Sequence, residues 1–98
     1  MDMVERKRFH RGEIAAQIAR EATRASDEFS TFASAHEGLA VLWEEFEELK
    51  AEVWKKKASR DSDAMRKEAI QIGAMAIRFI TDVVEANAGK EVAHSSPT

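Results

Sequence analysis

Leu39, Leu42, Trp43, Phe46, Leu49, Val53 and Trp54 recur at spacings of three and four, the pattern of a helix buried along one stripe. Ser34, with Glu37 three residues on, suits a capping box and sets the start of this helix. Lys55, Lys56 and Lys57 favour its carboxyl end, where the backbone dipole is negative. A second periodic segment from Ala64 to Val84 carries Met65, Ile72, Met75, Ala76, Phe79 and Val83 on one stripe. Asp61, Ser62 or Asp63 caps it, and Gly89 ends it. The short polar stretch 58–63 between the two helices requires an antiparallel hairpin.

Upstream, Ile14, Ile18 and Ala22 recur every fourth residue, with Ala15, Ala19 and Ala25 beside them. They predict a closely packing helix over 13–25. Residues 1–12 read as a flexible arm or the frayed start of that helix, and 91–98 as a disordered tail. Residues 26–35 read as a connection whose Phe29 and Phe32 cover the end of the core. No stretch alternates as a strand does, so the expected fold is all-α, with a single domain over 13–90.

Ile70, Ile77, Ile80 and Val84 widen the apolar face of the last helix beyond the ~100° stripe of an ordinary surface helix. Gly73 costs about 1 kcal/mol against alanine in a helix interior, so close approach of another helix is the expected compensation, helped by the small Ala69, Ala74 and Ala76. A hairpin plus an N-terminal helix, completed into a helical bundle by oligomerisation, follows from this width. The simplest forms are a homodimer or a dimer of dimers.

Composition narrows the function. With 98 residues, 44% of them hydrophobic, the chain makes one modest core, near the size where association helps stability. A net charge of −3 and a pI near 5.6 argue against DNA or RNA as a general partner, although Arg6, Lys7, Arg8 and Arg11 form a small basic patch. The absence of cysteine excludes disulfides and thiolate metal sites. His10, His36 and His94 lack ligand spacing, which disfavours zinc. With no signal peptide and no apolar run of membrane-spanning length, a soluble cytoplasmic protein is expected.

Two acidic features remain. On the first hairpin helix, Glu44, Glu45, Glu48 and Glu52 fall on the side away from the apolar stripe, and their side chains converge. Repulsion at these spacings costs only about 0.2–0.5 kcal/mol per pair, so a solvated face explains these residues taken alone. Glu68 is different because it lies within the apolar stripe, beside Ile72, Met75 and Phe79. A buried carboxylate needs a partner, a proton or a metal. The acidic face of the other helix, through a shared cation, supplies one.

Written together, the acids read Glu44-Glu45-x-x-Glu48, then nineteen residues, then Glu68-x-x-Gln71. Over 34–84 this resembles the MazG-like nucleotide pyrophosphohydrolases of the all-α NTP pyrophosphatase superfamily. Their signature has two glutamates and a third three residues on, then a glutamate and an aspartate on the next helix. The resemblance implies hydrolysis of a nucleoside triphosphate to the monophosphate and pyrophosphate. It implies Mg²⁺, with Mn²⁺ able to replace it, held by Glu44 or Glu45 with Glu48, Glu68 and Gln71. One glutamate among Glu44, Glu45 and Glu48 serves as the base. Lys55, Lys56, Lys67 and Arg78 are the cations available for phosphates, with Lys55 and Lys67 the chosen candidates. Trp43 and Trp54 read first as core and otherwise as stacking partners for a base. Gln71 departs from the family aspartate, and a neutral carbonyl binds a hard cation more weakly. The alternative function is therefore a catalytically degenerate nucleotide binder or a purely structural helical oligomer.

Overall fold

Asp2 opens the first helix, α1 (Met3–Glu28), by accepting the backbone N–H of Glu5 at 2.8 Å. The computed structural model describes residues 1–88, and in it residues 3–12 are the start of α1. The helix continues past Ala25 because Arg24 bridges Glu21 and Glu28, its neighbours one turn away on each side, the spacing at which opposite charges support a helix. Ile14 and Ile18 are half-buried and Ala22 and Ala25 fully so, whereas Ala15 and Ala19 face solvent. In the shortened connection Phe32 is buried and Phe29 is exposed. One ring, not two, covers the end of the core.

Ser34 caps α2 (Ala35–Val53), its hydroxyl accepting the Glu37 N–H at 3.1 Å. The helix stops short of Lys57. Arg60 reaches back and donates its Nε to the Val53 carbonyl at 2.8 Å, satisfying one of the carbonyls that a helix end leaves unpaired, and Lys57–Ser59 forms a 3₁₀ turn. Asp61 is the cap of α3 (Ser62–Phe79), accepting from the N–H groups of Asp63 and Ala64. The helix then widens into a π turn at Ile80–Val84 before residues 85–88 resume the α form. At that turn Thr81 donates to the Arg78 carbonyl at 3.2 Å, and Asp82 accepts the Phe32 N–H at 3.3 Å. The expected stop at Gly89 and the tail 91–98 lie outside the described residues. No strand occurs among the described residues.

The third helix is central, packing against α2 on one side and α1 on the other. As expected, α2 and α3 form an antiparallel hairpin. α1 runs parallel to α3: Gln17 bonds Arg66, Glu21 bonds Gln71 and the Ser30 carbonyl bonds Arg78, so partner numbers rise together. The predicted close approach at Gly73 is made by Ile18 of α1, within the chain. Two helices of one chain thus half-bury Ile70 and Ile77, while Ile80 and Val84, at the far end of the broad apolar face, stay exposed. The core is small, comprising Ala22, Ala25, Phe32, Ala74, Met75 and Val83. A radius of gyration of 17.2 Å, against about 13 Å for a compact domain of this length, marks an elongated molecule.

The face that α2 presents corrects the sequence reading. Leu39, Trp43, Phe46 and Trp54, expected in the core, are 55%, 62%, 54% and 73% exposed. Of the expected stripe, Leu42, which packs against the core, and Leu49 are half-buried, and beside them lie Gly38, which is buried, and Val41, Glu45 and Glu52, which are half-buried. Gly38 fixes this choice because a Cβ there would lie 2.6 Å from the Phe79 ring. The ring fills the space that a side chain would take, and the helix docks along its glycine edge.

Candidate metal centre and adjoining clefts

Three carboxylates meet across the hairpin. Glu45 and Glu48 lie one turn apart on α2, and Glu68 comes from α3; one oxygen from each lies within 4.8 Å of the others. Periodicity had put Glu68 in an apolar stripe, and it is half-buried there. Its neighbours are the acids anticipated from α2.

The electrostatics are those of a site short of positive charge. Burial, then the charge and hydrogen bonding of Glu48, and then Glu68 and Glu44 push the Glu45 carboxyl up to about 7. Burial and Glu48 also raise Glu68, while Lys67 pulls the other way. Carboxyls in this position either hold a proton or share a cation. Mg²⁺ binds oxygen at about 2.0–2.1 Å, so one ion spans ligand oxygens at most about 4.2 Å apart.

The other predicted residues divide into two groups. Glu44 is exposed and outside the triad, but it lines a cavity of about 390 Å³ together with Glu45. Gln71 is engaged elsewhere, its amide nitrogen donating to Glu21 at 2.7 Å. Lys67 adjoins Glu68 in sequence and borders a second, larger cleft between α1 and α3. Lys55, by contrast, pairs with Glu52 at 2.9 Å and lines neither space. Trp43 and Trp54 lie on the exposed face of α2, where Lys50 sits 4.3 Å above the Trp54 ring. The structure does not bring the tryptophans or Lys55 to the carboxylates.

Sequence reasoning missed the basic wall supplied by α1. Arg20 and Arg24 of α1 face Arg66 and Lys67 of α3 across a cleft of about 760 Å³, with Glu21 and Asp63 the acids on its border. Arg20 and Arg24 are one turn apart, a signal visible in the sequence, but the parallel pairing that sets them opposite Arg66 is tertiary. Arg24 holds Glu21 well below its ordinary range, at about 2, with Gln71 assisting. Arg78 was counted only as an available cation, yet it is buried. Its Nη2 donates to the Ser30 carbonyl at 2.8 Å and its guanidinium lies 4.5 Å from the Phe32 ring.

Glu68, Gln71, Met75 and Arg78 follow one another at three- and four-residue steps along the face of α3. Over about 15 Å that face connects the carboxylate triad to the buried arginine. No family model, curated protein or solved structure matches this chain.

Proposed function

We propose that the protein is a divalent-metal-dependent nucleotide pyrophosphohydrolase of the MazG-like kind, converting a nucleoside triphosphate and water to the monophosphate and pyrophosphate. The observation that carries this reading is the half-buried Glu68 meeting Glu45 and Glu48 within 4.8 Å. A carboxylate among apolar neighbours costs stability unless a cation or proton compensates it. Oxygen ligands alone, with room for water and phosphate, suit Mg²⁺ or Mn²⁺.

In this reading Glu45, Glu48 and Glu68 would hold the ion, which when bound would neutralise phosphate oxygens and acidify a water. Glu44, next to the triad but outside it, is placed to accept the proton of a water that attacks the α-phosphorus, with the α–β bridging bond broken and pyrophosphate leaving. Lys67, whose charge acts on Glu68, is the cation placed to meet the phosphates beside the triad. Gln71 is not among the ligands, since its amide is committed to Glu21.

Pyrophosphate release from a panel of triphosphates with Mg²⁺ or Mn²⁺, repeated with Glu48→Gln and Glu68→Gln, tests the reading. Metal-dependent release that both variants abolish supports it; release unaffected by either rejects it. The engagement of Gln71 favours one alternative, a relative that binds nucleotide without turnover, for which binding would persist with no release.

We also propose a homodimer formed through the outer face of α2. Leu39, Trp43 and Phe46 lie one helical turn apart and all are exposed, an arrangement that fits the same stripe of a second copy and would complete a helical bundle.

A further inference from the structure

The cleft of about 760 Å³ between α1 and α3 gathers charge of the sign opposite to that of the chain. Acids outnumber bases 18 to 15 in the sequence, yet Arg20, Arg24, Arg66 and Lys67 border this cleft against only Glu21 and Asp63. Arg24 is neutralised by its bridge to Glu21 and Glu28. Arg20, Arg66 and Lys67 make no ion pair among the described residues. Cations from two helices therefore face the cleft with Asp63 alone to balance them.

Arg66 is the best placed of these. Its Nη2 donates to the Gln17 side-chain carbonyl across the seam at 2.6 Å, a neutral partner that orients the guanidinium while leaving its charge and its other N–H groups free. Arg20 stands on the facing wall, three residues along α1 from Gln17. Packing α1 parallel to α3 thus brings like charges together, a repulsion that an anion lying between the walls would remove. Ile70 is the one apolar side chain among the nine that line the cleft, and no aromatic ring reaches it. There is no surface for a base or an acyl chain, so the ligand that fits is all charge. A single exposed ion pair contributes little, which favours a ligand whose oxygens meet both walls at once. Arginine forks suit phosphate oxygens in this way.

We infer that the α1–α3 cleft is a site for a free inorganic oligophosphate, of the pyrophosphate or triphosphate class, which bridges Arg20 and Arg66 and clamps the first helix against the third. None of Glu45, Glu48 and Glu68 borders this cleft. It is therefore a second site, separate from the carboxylate triad and independent of whether the protein hydrolyses a nucleotide. A ligand that binds only the folded chain stabilises it by mass action. Because this one holds two helices together, the concentration of the anion governs how firmly α1 is docked.

Inorganic pyrophosphate titrated into the full, metal-stripped chain tests this by calorimetry, with the melting temperature read in parallel. Pyrophosphate should bind the wild type, raise its melting temperature and bind more weakly as NaCl is added. Arg20 and Arg66 are exposed, so Arg20→Gln and Arg66→Gln should fold. Each should weaken binding about threefold or more, the loss of one exposed charge contact, and the double variant about tenfold. Arg8→Gln and Arg11→Gln remove the same charge from α1 outside the cleft and should leave the affinity unchanged. Three results would overturn the inference. They are no binding, equal losses in Arg8→Gln and Arg66→Gln, which would mark a response to net charge alone, and ADP binding more than about tenfold tighter than pyrophosphate, which would assign the cleft to a nucleotide. Glu48→Gln should bind pyrophosphate as the wild type does, so a failure of the hydrolysis assay leaves this result standing.

Discussion

Ile18 lies so close to Gly73 that a Cβ built on the glycine would stand 2.9 Å from the isoleucine Cγ2. The seam between α1 and α3 is set by this contact, with Ala22, Ala25 and Ala74 buried nearby. It also fixes the groove, because the spacing of those two helices determines how far Arg20 and Arg24 stand from Arg66 and Lys67.

Gly73→Ala should therefore destabilise the fold in spite of its better helix propensity. Overpacking typically costs about 1–3 kcal/mol against a propensity gain of about 1 kcal/mol, leaving a net loss of about 1 kcal/mol. Ile18→Ala in the same chain should recover the overpacking part. Urea unfolding of the two single variants and the double variant measures this coupling; additive losses would show that the helices do not meet there.

Metal should raise the melting temperature through the carboxylate triad. The shift grows with ligand concentration over Kd, and Mg²⁺ or Mn²⁺ at millimolar concentration should produce it in the wild type but not in Glu48→Gln or Glu68→Gln. Glu44→Gln should keep the shift and lose turnover. Calorimetry with and without chelator reads the first, and pyrophosphate release the second.

Stability without metal should fall as pH rises through neutrality. Glu45 binds its proton more tightly in the folded chain, at about 7, than at its ordinary 4.5. The folded state thus carries more protons across that interval, and unfolding becomes easier from about 4.5 to 7 and then level. Glu21 has the opposite sign in a lower window: held at about 2, it stabilises above about 4.5, and that contribution is lost as pH falls toward 2. Metal-free protein should be most stable near pH 5. Divalent cation should remove the neutral-pH loss, and denaturant midpoints across pH 3 to 9 check both limbs.

Gln71→Asp, which adds a fourth carboxylate on the α3 face of the triad, should not simply improve the site. The amide that donates to Glu21 would be replaced by a second carboxylate. The metal-free variant should be less stable than wild type by about 1–3 kcal/mol, the cost of breaking a buried or half-buried hydrogen bond to a charged group. Melting with chelator and with Mn²⁺ separates this loss from any gain in affinity.

Trp43→Glu or Phe46→Glu should leave a folded monomer. Both residues are more than half exposed, so neither substitution disturbs the packing within the chain. Sedimentation of the wild type at micromolar concentration should give a dimer; a monomer at every concentration would remove the proposed interface.

Much of this architecture was legible in the residues. Periodicity found the three helices, Ser34 set the start of α2, and the misplaced acidity of Glu68 led to Glu45 and Glu48. The sequence misled where two surfaces competed for one position. The apolar stripe of α2 has the stronger hydrophobic pattern, yet Gly38 accepts Phe79 and turns the acid-bearing edge inward. No periodicity encodes that choice. Arg20, Arg24 and Arg66 became a wall only once α1 was found parallel to α3, a pairing between residues about fifty positions apart.

That parallel arrangement also sets an order of events. The hairpin closes through a short turn, whereas the first helix finds no lasting partner until the chain has doubled back and the last helix has formed. Contacts between distant positions are slow to form. During synthesis the amino-terminal helix should wait, docking last and fraying first, and the cleft that needs both parallel helices should assemble only in that final step.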